Sequence, residues 1–194
     1  AVSLMNTCCS PRHEGVAIYD DGVRRTGTTP GHTGANTITF GEDGSVLYGY
    51  NTETSEDGFR TMQVTSAGVR ETRVTGGVSL GFGLRYFGGR VYGTGNEVID
   101  GSRHLVVGTL PGVSGGSIAV DGALGRVFHL DTWEDQVRVF DMNNFQLLGT
   151  IPMSGLNSEH PVLARERVVR WGTDGLAVSD GSAIYIFRSP IAGP

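Results

Sequence analysis

A chain of 194 residues, 38% of them hydrophobic, can bury one sizeable core. Its net charge is −5 and all 15 basic residues are scattered arginines, so the basic stripe of a nucleic-acid surface is missing and no nucleic-acid partner is expected. No apolar run reaches the ~18 residues of a membrane-spanning helix, and Ala1-Val-Ser-Leu4 has neither the basic nor the long apolar region of a secretion signal.

In chain order the sequence reads as short apolar runs separated by Gly, Asp and Asn, the residues that supply the φ > 0 positions of hairpin turns. The first unit, about residues 1–30, gives strands at 1–7, 15–20 and 23–29. Taking each unit as strands A to D from the innermost outward, this one lacks A. Units at about 36–75, 80–110 and 117–151 each hold all four strands. The last, about 167–188, aligns Val168-Val-Arg-Trp171 with A, Leu176-Ala-Val-Ser179 with B and Ala183-Ile-Tyr-Ile-Phe187 with C, and nothing is left for D. No helical apolar periodicity interrupts the series.

The units repeat. Ile18-Tyr19-Asp20, Val98-Ile99-Asp100 and Val139-Phe140-Asp141 match one another, and Gly27-Thr-Thr-Pro30, Gly108-Thr-Leu-Pro111 and Gly149-Thr-Ile-Pro152 follow their aspartates by 7, 8 and 8 residues. The three prolines are 81 and then 41 residues apart, which leaves room for one degenerate copy in which Val69-Arg-Glu-Thr-Arg-Val74 replaces the Gly-Thr-x-Pro strand. Four strands in about 40 to 45 residues is the β-propeller period. The expected fold is therefore all-β: a propeller of four-stranded antiparallel blades, about five units long, forming a single domain or arc over 1–194. Glycine, at 31 residues, is about twice its ~7% average, as turns at nearly every strand end require.

The adjacent Cys8 and Cys9 cannot staple distant parts of the fold and have no C-x-x-C spacing, so they call for no metal or redox site. No motif calls for a cofactor. The missing lysine is read as a compositional habit of the source, not a mechanism.

The stretch from Ser117-Ile-Ala-Val-Asp-Gly-Ala-Leu-Gly-Arg-Val-Phe128 through Val137-Arg-Val-Phe-Asp141 to Gln146-Leu-Leu-Gly-Thr-Ile-Pro152 resembles the YVTN repeat of bacterial surface-layer-type and lactonase-like β-propellers. The likeness recurs at 83–111 and 168–187 and is faint at 36–75. It departs at the family's Pro-Asp-Gly turn, here Ala123-Leu-Gly125, and the naming tetrapeptide is only echoed, in Tyr48-Gly-Tyr-Asn51 and Tyr92-Gly-Thr-Gly95. The resemblance implies an extracytoplasmic propeller, periplasmic, secreted or at the cell surface, often seven-bladed in relatives. It carries over no catalytic residue, because the repeat motif is structural.

Up-and-down strands put the A–B and C–D hairpins on one face of the disc and the longer B–C and D–A loops on the other. Binding residues collect on long loops. The candidates there are His32, Trp133, Glu134, Asp135 and His160, while Arg85 and Arg170 fall on innermost strands and can point into a central channel, to meet carboxylates, water or an anionic ligand. The recurring Asp20, Asp100 and Asp141 read as turn devices, Trp171 and Phe187 as packing, and Arg138 as a rim residue. The favoured function is a non-catalytic scaffold for an unknown protein or small-molecule ligand. The alternative is a lactonase- or lyase-like enzyme at the channel mouth, which convergence of Glu, Asp, Asn or His side chains on one point would favour. With no initiator Met, no strand A at the start and no strand D at the end, the chain is expected to be an arc of a larger propeller, with open edge strands that can self-associate.

Overall fold

Period-two alternation between tight turns leaves the chain little choice but short antiparallel strands. The computed structural model describes residues 1–5, 13–30, 36–52, 58–153, 167–180 and 183–194. Three complete four-stranded meanders stand at its centre. They are β5 (Thr37–Phe40), β6 (Val46–Tyr50), β7 (Phe59–Thr65) and β8 (Gly68–Thr75); β9 (Leu84–Phe87), β10 (Arg90–Gly93), β11 (Glu97–Asp100) and β12 (Leu105–Thr109); and β13 (Ser117–Asp121), β14 (Arg126–Asp131), β15 (Gln136–Asp141) and β16 (Leu147–Pro152). Before them come β1 (Val2–Met5) paired with β2 (His13–Ala17), and β3 (Tyr19–Asp20) paired with β4 (Val23–Arg24). After them come β17 (Arg167–Trp171), β18 (Gly175–Ser179) and β19 (Ile184–Arg188). Among the described residues the only helix is one 3₁₀ turn, Pro190–Ala192.

These are the five expected blades, the first without an innermost strand and the last without an outermost one among the described residues. Two details of the first blade differ from the sequence reading. Its third strand breaks at Ile18 into β2 and β3, and its fourth is regular only at Val23–Arg24. The reason is a close approach: Gly27 leaves the ladder to bridge Gly68 of the second blade, accepting Val69 N–H at 3.1 Å. Gly68, at φ 141°, has no side chain to strike the Gly27 carbonyl. The chain then returns, and Thr29 N–H reaches Val16 O at 3.1 Å.

Every complete blade also shifts register between its third and fourth strands, at Thr61/Met62, Val98/Ile99 and Val139/Phe140. A bulge there bends the outer strand and increases the local twist.

Both faces of each inner sheet are buried. Alternation along β15 sends Val137 and Val139 toward the fifth blade, where they pack with Phe128, Leu130, Val168, Leu176 and Val178. It sends Phe140 toward the third, against Tyr92, Val98, Leu110, Ile118 and Val127. The third blade meets the second through Leu84, Val91 and Ile99 against Tyr48, Tyr50 and Phe59, and the second meets the first through Leu47, Met62 and Val69 against Val16 and Ile18. Innermost strands β5, β9, β13 and β17 follow one another in contact, as wedges around an axis do.

Val139 is fully buried, whereas Leu148 on the outermost strand of the same blade is 48% exposed. Val139→Asp is therefore expected to cost at least about 3 kcal/mol, and Leu148→Asp less than about 0.5 kcal/mol. The shift in urea midpoint of the two variants checks this, and equal shifts would contradict the assignment of faces.

Candidate functional site

Hydrogen bonds gather the B–C and D–A loops at one end of the wedges. Asn36 and Thr52 exchange two bonds, at 2.5 and 2.9 Å, between the loops flanking β5 and β6. Tyr50 Oη donates to Val78 O at 2.6 Å, and Met153 N–H donates to Asp135 O at 2.7 Å.

The most sharply built of these loops joins β14 to β15. Asp131 ends β14 with its side chain almost enclosed. Its Oδ1 accepts the N–H groups of Trp133 and Glu134 at 3.1 and 3.3 Å, while Oδ2 takes Nε and Nη2 of Arg138 at 2.9 and 2.8 Å. Burial pushes the Asp131 carboxyl up, but Arg138 and the two N–H groups outweigh it and hold the carboxyl below the usual range. Arg138, read as a rim residue, is partly buried at the loop end of its blade, where it pairs with Asp131 and lies against Gly112, at which a Cβ would come within 2.7 Å of Nη1.

The pinned turn lifts Trp133 out of the surface, 76% exposed, beside Glu134 and Asp135. Asp135 sits at φ 47°, and its Oδ1 is buried with no hydrogen-bond partner among the described residues. Trp133, Glu134 and Asp135 therefore do come together, on one turn.

Of the other candidates, His32 and His160 lie outside the described residues. Arg85 is half-buried, donates to Leu84 O at 2.8 Å and pairs with no carboxylate among the described residues. Burial pushes its pKa down, and the charge of Arg167 on β17, two blades on, adds to this. Arg170 does not stand free in a channel. Its Nε reaches Asp121 Oδ2 at 2.8 Å, its other nitrogens reach Gly175 O and Thr173 O, and its guanidinium covers the Phe128 ring at 5.0 Å. It fastens the fifth blade to the fourth. Trp171, read as packing, is 46% exposed on the outer flank with Arg188 over its ring at 5.0 Å, because no sheet follows it among the described residues. Phe187 does pack, partly buried, against the core between the fourth and fifth blades.

Two histidines that the sequence reading passed over are the buried ones. His129 on β14 is enclosed, with Nε2 2.7 Å from Gly115 O and Nδ1 without a partner among the described residues; burial pushes its pKa down. His104, at φ 58°, lies between the Thr61 hydroxyl at 2.6 Å and the Thr75 hydroxyl at 2.9 Å, against the Phe59 ring at 4.6 Å. Burial, aided by Arg73, takes its pKa down to about 4. Their only sequence signal is position: His129 follows a run of strand residues and His104 follows an Asp turn. Among the described residues no group of three or more His, Cys, Asp or Glu side chains is placed to hold a metal ion.

No protein-family model matches the chain, and no curated protein matches it. Solved structures do. The chain is similar to apo AztD from Citrobacter koseri (14% identity, TM-score 0.57, 96% of this chain and 53% of that one). It is similar to BamB from Moraxella catarrhalis (14%, 0.56, 88% and 53%) and to the C-terminal WD40 domain of Sif2 (12%, 0.54, 80% and 43%). These are β-propellers, and at such identities they show the fold alone. The chain spans about half the length of the structures it matches.

Because His104 is held neutral in the fold with a pKa of about 4 against 6.5 in the unfolded chain, its contribution is fully present above pH 6.5 and is lost as pH falls toward 4. Unfolding free energy should drop across that window by up to about 1.4 kcal/mol per pH unit. In His104→Gln the slope between pH 6.5 and 4.5 should flatten; an unchanged slope in urea titrations would show that His104 does not carry it.

Proposed function

We propose that this protein is a non-catalytic binding scaffold of the propeller class, and that the turn between β14 and β15 is where a partner sits. The observation that supports this is Trp133, a large aromatic held out in solvent on a turn whose backbone is pinned by the buried Asp131–Arg138 pair. An exposed indole on a rigid mount gives contact area at small ordering cost, and aromatic anchors of this kind dominate binding surfaces. Glu134 and Asp135 beside it favour a partner, protein or small molecule, that brings N–H donors or positive charge. The resemblance of the fourth blade to the YVTN repeat of surface-layer-type propellers supports an extracytoplasmic location. Residues 1–194 are read as one arc of blades within a larger propeller.

The test is a comparison of wild type with Trp133→Ala and Glu134→Lys as bait in extracts of the source organism, at matched melting temperature. A partner retained by wild type and released by both variants supports the assignment. Retention by all three, or hydrolysis of lactones by the purified protein, would overturn it.

The arc reading rests on the exposed flank of β19, where Ile184 is 72% and Ile186 is 64% exposed, and on the first blade, where Val23 is 72% exposed. Unpaired apolar edges of this kind associate. By light-scattering chromatography the 194-residue chain alone should run as oligomers, and the double substitution Ile184→Lys, Ile186→Lys should shift it toward monomer. A monomeric wild-type chain would refute the open edge.

A further inference from the structure

Between the third and fourth blades, on the side of the A–B and C–D hairpins, lies a cavity of about 240 Å³ lined by Phe87, Gly88, Arg90, Tyr92, Met142 and Asn143. Tyr92 is fully buried, and its hydroxyl oxygen faces the Arg90 guanidinium, but its O–H has no hydrogen-bond acceptor among the described residues. Buried hydroxyls nearly always have one, so the exception needs a reason. Arg90 projects from the same face of β10 as Tyr92, two residues before it. One of its guanidinium nitrogens donates to Met142 O at 2.9 Å, and the guanidinium stands 5.4 Å from the centre of the Phe145 ring. No carboxylate pairs with it among the described residues. Asp141, in the adjoining turn, spends its Oδ1 on the N–H groups of Asn143 and Asn144 at 2.8 and 3.0 Å.

We propose that this cleft is a binding site for a small carboxylate, which lies across the remaining N–H groups of Arg90 and accepts the Tyr92 hydroxyl. The lining chemistry carries the assignment. A guanidinium holds five N–H donors and no acceptor, and the bond to the Met142 carbonyl uses only one of them. A phenol buried beside a cation completes a donor pair that only an acceptor satisfies. The planar fork of arginine matches a carboxylate, and one positive charge balances one negative charge; a phosphate dianion would leave charge uncompensated in a half-enclosed site. Burial pushes the Tyr92 phenol pKa up, while a hydrogen bond from Arg90 and its charge work the other way. Gly88 and Gly89, at φ 56° and 82°, form an open lip: nothing lies within 4 Å of where their Cβ atoms would be. This site stands on the face opposite Trp133 and is independent of the reading given to that turn.

The probe is sodium acetate at constant ionic strength, followed by the amide shifts of Gly88 and Gly89 and of the Asn143 side chain in the 194-residue chain. Saturable shifts confined to these groups are expected, with affinity reduced about tenfold in Tyr92→Phe and in Arg90→Gln. Tyr92→Phe should melt no lower than wild type, which separates lost binding from lost folding. Acetyl-diglycine in the same titration tells the source of the group: tighter binding than acetate assigns a chain terminus, weaker binding a free acid. The proposal is overturned if the acetate shifts rise linearly without saturating, if either variant binds acetate as wild type does, or if inorganic phosphate binds more tightly than acetate.

Discussion

Burial of both faces of a sheet governs this molecule. A lone antiparallel meander wets one of its faces, but here each inner blade offers apolar side chains on both, and each face is covered by the next blade. Among the described residues four separate apolar clusters result, one at each junction between successive blades, rather than one central core. Stability is then close to a sum of nearest-neighbour terms. Arginine fastens the same junctions at their rims: Arg25 donates to Thr65 O, Arg73 to Ser102 O, Arg90 to Met142 O, and Arg170 pairs with Asp121. A delocalised fork with several fixed donors can serve a carbonyl and an aromatic face together, as Arg90 does with Met142 and Phe145, which an ammonium group does less well. The all-arginine composition, whatever its origin, is put to structural use.

Most of the architecture was legible because it rests on local chemistry repeated. The Gly-Thr-x-Pro signature marks the outermost strand of the third and fourth blades, and the apolar-apolar-Asp signature marks the end of the third strand. Asp100 and Asp141 do what such a residue does at a turn, accepting N–H groups two and three residues on. Asp20 looks the same in sequence and behaves differently: it takes the Arg25 guanidinium, which also reaches Thr65 of the second blade. What differs is Arg25, five residues on, a cation close enough to win the carboxylate. The register shifts between third and fourth strands were not legible, since a bulge depends on which partner residue is skipped and leaves no composition of its own.

The candidate site was legible only where a side chain advertises itself. Trp133 among acidic residues on a predicted loop is such a signal. The groups that hold it in place, Asp131 and Arg138, were hidden because one reads as a loop residue and the other as a rim residue, and their meeting depends on the pleat and on the length of the turn between them. The same holds for His104, whose neutral state is set by burial and by Arg73, and whose neighbours Phe59, Thr61 and Thr75 lie on another blade, 29 to 45 positions away in the chain. Partners brought together by the fold, not residue types, decided these cases.

The separate clusters also bear on how such a chain can change over generations. Since each blade is fastened only to the blades beside it, a gene segment encoding one unit can be copied or lost without redesigning the others, provided the new neighbours present matching faces. Copies then drift independently. The second blade, whose outermost strand β8 carries no Gly-Thr-x-Pro signature while Met62 and Phe59 still fill its junctions, shows an outer edge that differs where the packed faces match.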